Sequence, residues 1–211
     1  QPDATQSYHF SSGTSFNTSG DTYQYDSQTA NTPPEGSVNY ELGARFNDER
    51  HRWTARVALF YAIKLNERNR DPDSAATQAL LSGRRHTAGF EVDLAGRLNA
   101  GWEAFVSYAW TPIARIDVGA PGSTAGLGEG AGTRSSLTPR HSGTIWTTYQ
   151  LNADWRLGGG INFRSSQTPN RNPGWAAPAF ATLDLMAEYR VNDTLTVKGN
   201  AANVTNKRYA D

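Results

Sequence analysis

The sequence predicts an all-β fold: part of an antiparallel transmembrane β-barrel with about nine long strands. Three observations favour this fold. Apolar and polar residues alternate with period two over most of the chain, the alternating segments run for roughly 10 to 15 residues, and short connections alternate with long ones. Because successive side chains of a strand point to opposite faces, each segment has one apolar and one polar face. No segment shows a convincing helical period.

The alternating segments justify the strands one by one. In the second of them, Val38, Tyr40 and Leu42 fall on one face, whereas Asn39 and Glu41 fall on the other. Strands of soluble proteins mostly have about 5 or 6 residues, whereas a tilted strand needs about 9 to 11 to cross a membrane. Charged residues along the polar faces favour a wide polar lumen over a soluble sandwich, the alternative. The segments lie at residues 8–17, 37–47, 52–66, 87–98, 102–111, 142–151, 155–164, 179–190 and 194–203.

Composition excludes several classes of protein. The 211 residues carry 20 Lys and Arg against 20 Asp and Glu, and this zero net charge argues against a nucleic-acid binder driven by bulk charge. The absence of Cys excludes disulfide frameworks, thiolate zinc sites and Cys nucleophiles. A mean hydropathy of -0.64 would suit a soluble protein, but a barrel strand turns half of its residues towards a polar lumen. The low average therefore excludes only helical spans.

The connections give the predicted barrel an orientation, because short turns of outer-membrane barrels face the periplasm and long loops face outside. The short connections lie at 47–51, 99–101, 152–154 and 192–193, and the long ones at 18–36, 67–86, 117–140 and 165–177. Aromatic rings with a polar edge belong at the two membrane interfaces. The predicted girdle residues are Phe46, Trp53, Trp102, Trp155 and Tyr189 near the short turns, and Tyr61, Tyr108 and Trp110 nearer the long loops.

Nine strands are an awkward number, because a closed bacterial barrel normally has an even number. An open sheet would leave edge N–H and C=O groups that lipid cannot satisfy. The sequence therefore predicts that residues 1–211 are the C-terminal part of a larger barrel without its final strand. In isolation this piece is expected to be an open sheet that neither spans a membrane nor folds stably.

Several sequence motifs are in phase with the predicted strands. The first is TPPEGSVNYELGA at 32–44, and the second is LLSG at 80–83 followed by GFEV at 89–92. TPRHSG at 138–143 stands before WTTY at 146–149, and NVTNKRY lies at 203–209. Together these motifs resemble those of TonB-dependent outer-membrane receptors of the siderophore type, and the resemblance covers nearly the whole chain. The most specific of them is NVTNKRY, which in that family normally stands just before one final strand.

The resemblance implies a barrel of about 22 strands in the bacterial outer membrane, closed by an N-terminal plug domain. Such a receptor imports a ferric siderophore, either a catecholate or a hydroxamate, with energy delivered by TonB. The siderophore is the transported ligand, and no covalent cofactor is implied. A passive porin shares the strands, girdles and loop order, but not the motifs. An outer-membrane enzyme is the third hypothesis, and no Ser, His and Asp set favours it.

One long loop has the chemistry to bind such a ligand. The segment 165–175 is polar and carries Asn170, Arg171, Asn172 and Trp175 between prolines. A ferric catecholate is anionic and aromatic, so Arg suits it by charge and Trp suits it by stacking. The alternative is an ordinary loop stiffened by proline, with Trp175 packed on a neighbour.

A second candidate is basic. Arg68 and Arg70 in one long loop, with the sequence Arg-Arg-His at 84–86, form a cluster near the extracellular rim that could attract an anionic chelate. The favoured alternative is pairing with Asp71 and Asp73 or with lipopolysaccharide phosphate. Tyr25, a loop aromatic, is a weaker candidate of the same kind.

Charges on the polar faces are expected to pair with one another or with the plug, and a catalytic role for them is not expected. These charges include Arg45, Arg56, Glu91, Asp93 and Arg97. The histidines, His9, His51, His86 and His141, are scattered without ligand spacing, so no metal site is predicted. The glycine-rich segment 126–132 has no strand feeding it and no helix after it, so it is interpreted as an external loop rather than a phosphate cradle.

Overall fold

The computed structural model describes residues 5–17, 34–48, 50, 52–68, 80–119, 130–169 and 175–209. They form a single antiparallel sheet in which every strand pairs with its neighbours in sequence, in the order β1 to β9. This confirms the predicted all-β fold and open sheet. The strands are β1 (Gln6–Asn17), β2 (Glu35–Asn47), β3 (Trp53–Arg68), β4 (Leu80–Arg97), β5 (Trp102–Gly119), β6 (His141–Gln150), β7 (Trp155–Arg164), β8 (Phe180–Arg190) and β9 (Thr196–Ala201).

The register carries one apolar face across the sheet. Leu42 of β2 lies opposite Leu59 of β3, and Leu59 lies opposite Phe90 of β4. Phe90 in turn lies opposite Trp110 of β5. Directly paired residues project to the same side of a sheet, so these side chains form a continuous row. We call this side the apolar face and the opposite side, which carries Arg45, Arg56 and Asp93, the polar face.

The apolar face is exposed rather than packed in a core. Phe10 is 69% exposed and Leu59 is 59% exposed. Among the described residues only Ala114, Ile116 and Met186 are buried apolar side chains. A soluble sandwich would bury its apolar face against a second layer. The sheet has its apolar face on the outside instead, as a wall between lipid and a polar lumen requires. None of the described residues belong to a helix long and apolar enough to cross a membrane.

The structure corrects the bounds of two strands. β4 begins at Leu80 rather than at residue 87, and β5 continues to Gly119 rather than ending at residue 111. The register between these two strands shifts at Ala88 and Phe90 and again near Arg84, which marks β-bulges. A bulge breaks the period of two in the sequence while pairing continues beyond it. The loops predicted at 67–86 and 117–140 are therefore shorter than the alternation indicated.

Asparagine closes the short turns. The Asn152 side-chain oxygen accepts hydrogen bonds from the backbone N–H groups of Asp154 and Trp155, both at 2.9 Å. Asn192 does the same for Thr194 and Leu195, also at 2.9 Å. These contacts replace backbone hydrogen bonds that a tight turn cannot make. They explain physically why Asn recurs in the short connections.

A run of glycines in β7 makes room for large neighbours on the polar face. Gly160 lies opposite Trp146 of β6. A Cβ atom added at Gly160 would lie 2.3 Å from Trp146 Cε3 and 2.7 Å from the Ile145 carbonyl oxygen. Both distances are far below van der Waals contact. The missing side chain at Gly160 therefore leaves the space that the Trp146 indole occupies.

Replacing Gly160 by Ala is expected to destabilise the barrel by about 1–3 kcal/mol, the usual cost of overpacking. The measurement is urea unfolding of the membrane-inserted barrel, followed by tryptophan fluorescence. Gly13→Ala is the matched control, because a Cβ at Gly13 meets nothing within 4 Å. The control should stay within about 0.5 kcal/mol of the parent. An equal loss of unfolding free energy in the two variants would contradict the view that Trp146 needs the space at Gly160.

Candidate functional site

A positively charged concavity of about 670 Å³ lies on the polar face near the short turns. Five cationic side chains and one carboxylate line it, so an anionic group would be attracted to it. The cationic residues are Arg50, Arg52, Arg97, Arg156 and Lys198, and the acidic one is Glu103. The concavity is formed by strands β4 to β9 together with the turn before β3.

Glu103 organises the middle of the concavity. Its carboxylate accepts a charge-assisted hydrogen bond from the Arg156 guanidinium, and Arg97 lies 3.6 Å from its other oxygen. Arg156 also donates to the Thr148 hydroxyl at 2.9 Å, so its orientation is fixed from two sides. One carboxylate thus holds two guanidinium groups in place. Their summed charge remains positive.

At the edge of the concavity Arg52 is tied to the turn. Its guanidinium donates to the Asp48 carboxylate at 2.7 Å. This hydrogen bond holds the pKa of the Asp48 carboxyl below its usual value. Lys198 and Arg50 have no ion pair within the part of the chain that the structure describes. These two cations are available to a group outside that part.

Apolar side chains form the floor of the concavity. Phe105 and Trp146 are directly paired on β5 and β6, and Met186 of β8 lies beside them in the lining. Phe105 is 43% exposed on the polar face. Sequence reasoning missed this patch and Lys198, because it sorted residues by face and treated the polar face as uniformly charged. The signal it passed over was Trp146, an indole at a position where the alternation expects a polar residue.

The charges on the polar face were expected to pair with one another or with the plug, and the structure shows which of them pair within the sheet. Arg56 and Asp93 are directly opposed in β3 and β4, yet no ion pair within 4.0 Å joins them. Within the described residues Arg97 pairs with Glu103, and Arg45 donates to the Asn47 side chain at 3.2 Å. Within the described residues, pairing on the polar face is therefore present for Arg97 and Glu103 and absent for Arg56 and Asp93, and pairing with the plug stays a prediction.

The predicted ligand loop is held at its base. The backbone groups of Gln167 and Ala177 exchange two hydrogen bonds, of 3.1 and 2.8 Å. The Leu137 N–H donates to the Thr168 carbonyl at 3.0 Å, which ties this loop to the preceding one. Trp175 is 70% exposed, so most of its side chain is left uncovered by the described residues. Its companions Asn170, Arg171 and Asn172 lie outside the described residues.

The structure describes only part of the predicted basic cluster, and that part lies in strands. Arg84, Arg85 and His86 lie within β4 and not in a loop, because this strand is longer than predicted. Arg85 pairs with Glu67 at 2.5 Å, whereas His86 Nδ1 lies 2.8 Å from Asp117. The expected partners Asp71 and Asp73 lie outside the described residues, so pairing with them stays a prediction. Arg68 ends β3 with an undescribed side chain, and Arg70 and Tyr25 also lie outside the described residues.

A single arginine fastens the chain that follows the third long loop. The Arg134 guanidinium donates to the carbonyl oxygens of Thr111, Pro112, Thr138 and Pro139, at distances from 2.6 to 3.4 Å. Partial burial, and then the charge of Arg140, lower the pKa of Arg134 from its usual value. Arg134 thus holds segment 130–140 against β5.

The predicted girdle aromatics lie on the apolar face in two groups. Near the short turns, Trp155 and Tyr189 are in ring contact at 4.6 Å, and the Trp102 indole N–H donates to the Thr147 hydroxyl. Near the long loops, Phe90 contacts Trp110 at 5.5 Å and Tyr108 at 5.8 Å. No group of three or more His, Cys, Asp or Glu with metal-binding geometry occurs among the described residues.

Comparison with known proteins identifies a family and shows what share of its relatives' length this chain covers. The family model described as "TonB dependent receptor-like, beta-barrel" matches residues 1–204. The ferric-pyoverdine 358 receptor of Pseudomonas putida is 29% identical over 189 residues, which cover 83% of this chain and 21% of that protein. The catecholate siderophore receptor Fiu of Escherichia coli is 25% identical over 183 residues, covering 83% of this chain and 22% of Fiu.

Solved structures show the same fold. The siderophore receptor PiuA of Acinetobacter baumannii superposes with a TM-score of 0.82 at 19% identity, covering 99% of this chain and 31% of that one. The Pseudomonas aeruginosa ferripyoverdine receptor bound to ferripyoverdine gives 0.73 at 23% identity, covering 97% of this chain and 28% of that one. The chain thus spans between a fifth and a third of the length of these proteins.

Arg134→Lys is expected to release segment 130–140, because an ammonium group keeps the charge but cannot reach four carbonyl groups at once. We expect hydrogen exchange at the Ser135 amide, which bonds to the Ala114 carbonyl, to rise roughly tenfold. Exchange measured by mass spectrometry on the membrane-inserted protein checks this. Arg208→Lys is the control. Unchanged exchange in Arg134→Lys would show that charge alone holds the segment.

Proposed function

The chain belongs to the TonB-dependent receptor-like β-barrel family, and from this premise we propose that it forms part of the wall of an outer-membrane receptor that imports ferric siderophores. The observation that carries the proposal is the family match over 1–204. The sheet agrees with it, because its apolar face is exposed and its polar face is charged. The family consists of receptors and transporters, and we expect no enzymatic activity. The relatives named above bind ferric pyoverdine or catecholate siderophores.

The sheet supports the view that this chain is one part of a larger barrel. Within the described residues, β1 and β9 each pair on one side only. Their free edges carry N–H and C=O groups that need partners in lipid. We propose that further strands of the same receptor complete the barrel beyond both edges, and that residues 1–211 belong to its C-terminal part.

The aromatic residues on the apolar face support a placement in the membrane. We propose that Phe46, Trp53, Trp102, Trp155 and Tyr189 form a periplasmic girdle, and that Tyr108 and Trp110 belong to the outer one. Indole and phenol rings favour interfaces because one edge is polar. On this placement the long-loop end of the sheet faces outside, and the lipid of the outer membrane, with its lipopolysaccharide, surrounds the apolar face.

We propose that the ferric siderophore is bound among the long loops. Trp175 supports this role because its indole is 70% exposed above a loop base that is fixed by hydrogen bonds. The ligand is anionic and has polar, often aromatic, chelating groups, which suits Arg171, Asn170 and Asn172 on the same loop. Arg68, Arg70 and Tyr25 are proposed as further contacts from neighbouring loops.

The concavity around Glu103 supports a second contact. TonB-dependent receptors carry a plug domain and work with TonB. A plug segment that presents a carboxylate next to apolar side chains would match Arg50 and Lys198, which form no ion pair among the described residues, and the exposed floor at Phe105. We propose that this concavity is where the plug docks, and that TonB acts on the receptor through the plug. A passive porin has no such segment, and the family match does not favour it.

The proposed import is tested in cells that lack the parent receptor gene. Growth on iron-limited medium with one supplied ferric siderophore should return when the gene is restored, and it should fail again when TonB is deleted. Siderophores of the catecholate, hydroxamate and pyoverdine classes are supplied one at a time. Growth that is independent of TonB would favour the porin. Rescue by none of the three classes would exclude these ligands.

Trp175→Ala is expected to weaken binding of the siderophore that passes this test by about tenfold, because a stacked aromatic contact contributes on the order of 1 kcal/mol. Titration of the detergent-solubilised receptor by tryptophan fluorescence measures the change. Trp175→Phe is the matched control, since it keeps an aromatic face. Equal affinities of the Ala variant and the parent would remove Trp175 from the site.

The docking proposal is tested by reversing charge in the concavity. Arg50→Glu with Lys198→Glu should loosen the plug, because two attractive contacts become repulsive. A spin label on the plug of the full-length receptor reports the urea concentration at which the plug unfolds, and this midpoint should fall. Lys207→Glu is the control outside the concavity. An unchanged midpoint in the double variant would exclude docking at this surface.

A further inference from the structure

The segment 130–140 extends the sheet where β6 has not yet begun. β5 continues beyond the last residue that β6 pairs with, and this segment takes the free edge. The Ile116 N–H donates to the Thr133 carbonyl at 3.0 Å, and the Gly132 N–H donates to the Ile116 carbonyl at 2.8 Å. Ile116 is fully buried. Backbone pairing and burial therefore fix the first half of the segment to the barrel wall.

Arg134 fixes the second half of the segment. Its guanidinium donates to the Thr138 and Pro139 carbonyls at 3.0 and 3.4 Å. It also donates to the Thr111 and Pro112 carbonyls of β5 at 2.6 and 3.0 Å. A planar guanidinium group with several N–H donors can serve carbonyl groups on both sides at once. One side chain thus joins the backbone at 138–139 directly to the strand beside it.

Leu137, which precedes these two carbonyl groups, has an unusual backbone conformation. Its φ is 54°, in the left-handed region that is unfavourable for a residue with a Cβ atom. A residue keeps such a conformation only where the surrounding structure imposes it. The Leu137 N–H donates to the Thr168 carbonyl at 3.0 Å, in the next long loop. Because Arg134 holds residues 138 and 139, it sets the direction in which this N–H points.

Thr168 belongs to the base of the loop that carries Trp175. Its neighbour Gln167 is buried and exchanges two backbone hydrogen bonds with Ala177, of 3.1 and 2.8 Å. Ala177 follows Trp175 closely in the sequence. Because the described residues leave Trp175 70% exposed, the position of its indole depends on the backbone of this base rather than on packing against those residues.

A second link joins the same two parts of the chain. The Ser165 hydroxyl oxygen accepts hydrogen bonds from the Arg140 and His141 N–H groups, at 2.9 and 3.1 Å. Both links start from backbone that follows Arg134. The base of the loop therefore takes its position from the segment that Arg134 holds against β5.

We propose that Arg134 is a positioning residue for Trp175: through Leu137 and Thr168 it sets the orientation in which the indole meets the transported ligand. Arg134 acts through backbone contacts and not by touching the ligand. A loop that is ordered before binding raises affinity, because less conformational entropy is lost when the ligand binds. The inference rests on the proposed binding of a ferric siderophore among the long loops, and it adds the residue that orders one of them.

The first measurement needs no ligand. A spin label is attached at Trp175→Cys in the full-length receptor, freed of any other cysteine, and its mobility is read by electron paramagnetic resonance. Arg134→Gln and Arg134→Lys should each increase the mobility of the label roughly twofold, because neither side chain can reach carbonyl groups on both sides at once. Ser165→Ala removes only the second link and should give a smaller increase.

Arg140→Gln is the matched control. It removes the same charge from the same segment, but the Arg140 guanidinium makes only one contact among the described residues, to the Pro112 carbonyl at 3.3 Å. The label should keep its mobility in this variant. All variants are first compared by heat-modifiable migration on gels. If Arg134→Gln does not fold, Arg134→Lys, which keeps the charge, carries the same test.

Ligand affinity is the second measurement, with a ferric pyoverdine, a ferric catecholate and a ferric hydroxamate titrated in turn. With Trp175 present, Arg134→Gln should lower the affinity for the ligand that binds by roughly fivefold, the size expected when one side chain must be ordered on binding. In the Trp175→Ala background the same change should have little further effect, because the residue that Arg134 positions is gone.

Two outcomes would overturn the proposal. One is an equal loss of affinity in the two backgrounds, which a general structural role of Arg134 would produce. The other is unchanged mobility of the label at position 175 in both Arg134 variants. Binding of none of the three ligands to the parent receptor would count against the proposed import, whereas the spin label would still decide whether Arg134 orders the loop.

Discussion

The requirement that every backbone N–H and C=O group in lipid has a partner determines most of this structure. A membrane-spanning strand can meet that requirement only by pairing along its whole length with two neighbours. Strands β2 to β8 each pair with two neighbours in simple sequence order, and the pairing fixes the register of each strand. Once the register is fixed, the period of two decides which side chains face lipid and which face the lumen. The exposed row through Leu42, Leu59 and Phe90 and the charged concavity around Glu103 are both products of this one constraint.

The part of the fold that depends on alternation could be predicted from the sequence. The strands from Glu35 to Asn47 and from Trp155 to Arg164 were predicted almost to the residue, because their polar and apolar positions alternate without a break. β4 and β5 were predicted too short. The pairing shifts between Ala88 and Phe90, because a bulge adds an extra residue there. This extra residue interrupts the alternation from which strands are recognised in the sequence. Beyond it, β4 runs back to Leu80 through polar residues that the sequence alone places in a loop.

The candidate sites were harder to predict, because they are formed by residues that are distant in sequence. Arg156 and Glu103 are 53 positions apart, and only the register of three strands brings them together. Arg134 carries no motif at all, yet its guanidinium fastens a whole segment to β5. The loop residue Trp175 was predicted as a ligand contact from the chemistry that an anionic aromatic ligand would need, and this role stays a prediction. Sequence reasoning thus finds single side chains that suit a ligand, but not clusters that the sheet assembles.

The sequential order of the strands has a consequence for how such a chain acquires its structure. Every strand pair from β1–β2 to β8–β9 joins neighbours in the sequence, so no pairing has to wait for a distant part of the chain to arrive. Contacts of short sequence separation favour fast formation, because little loop-closure entropy is lost. The short turns closed by Asn152 and Asn192 are natural starting points for hairpins. The wall can therefore grow one hairpin at a time, and each added strand serves as the template on which the next one forms.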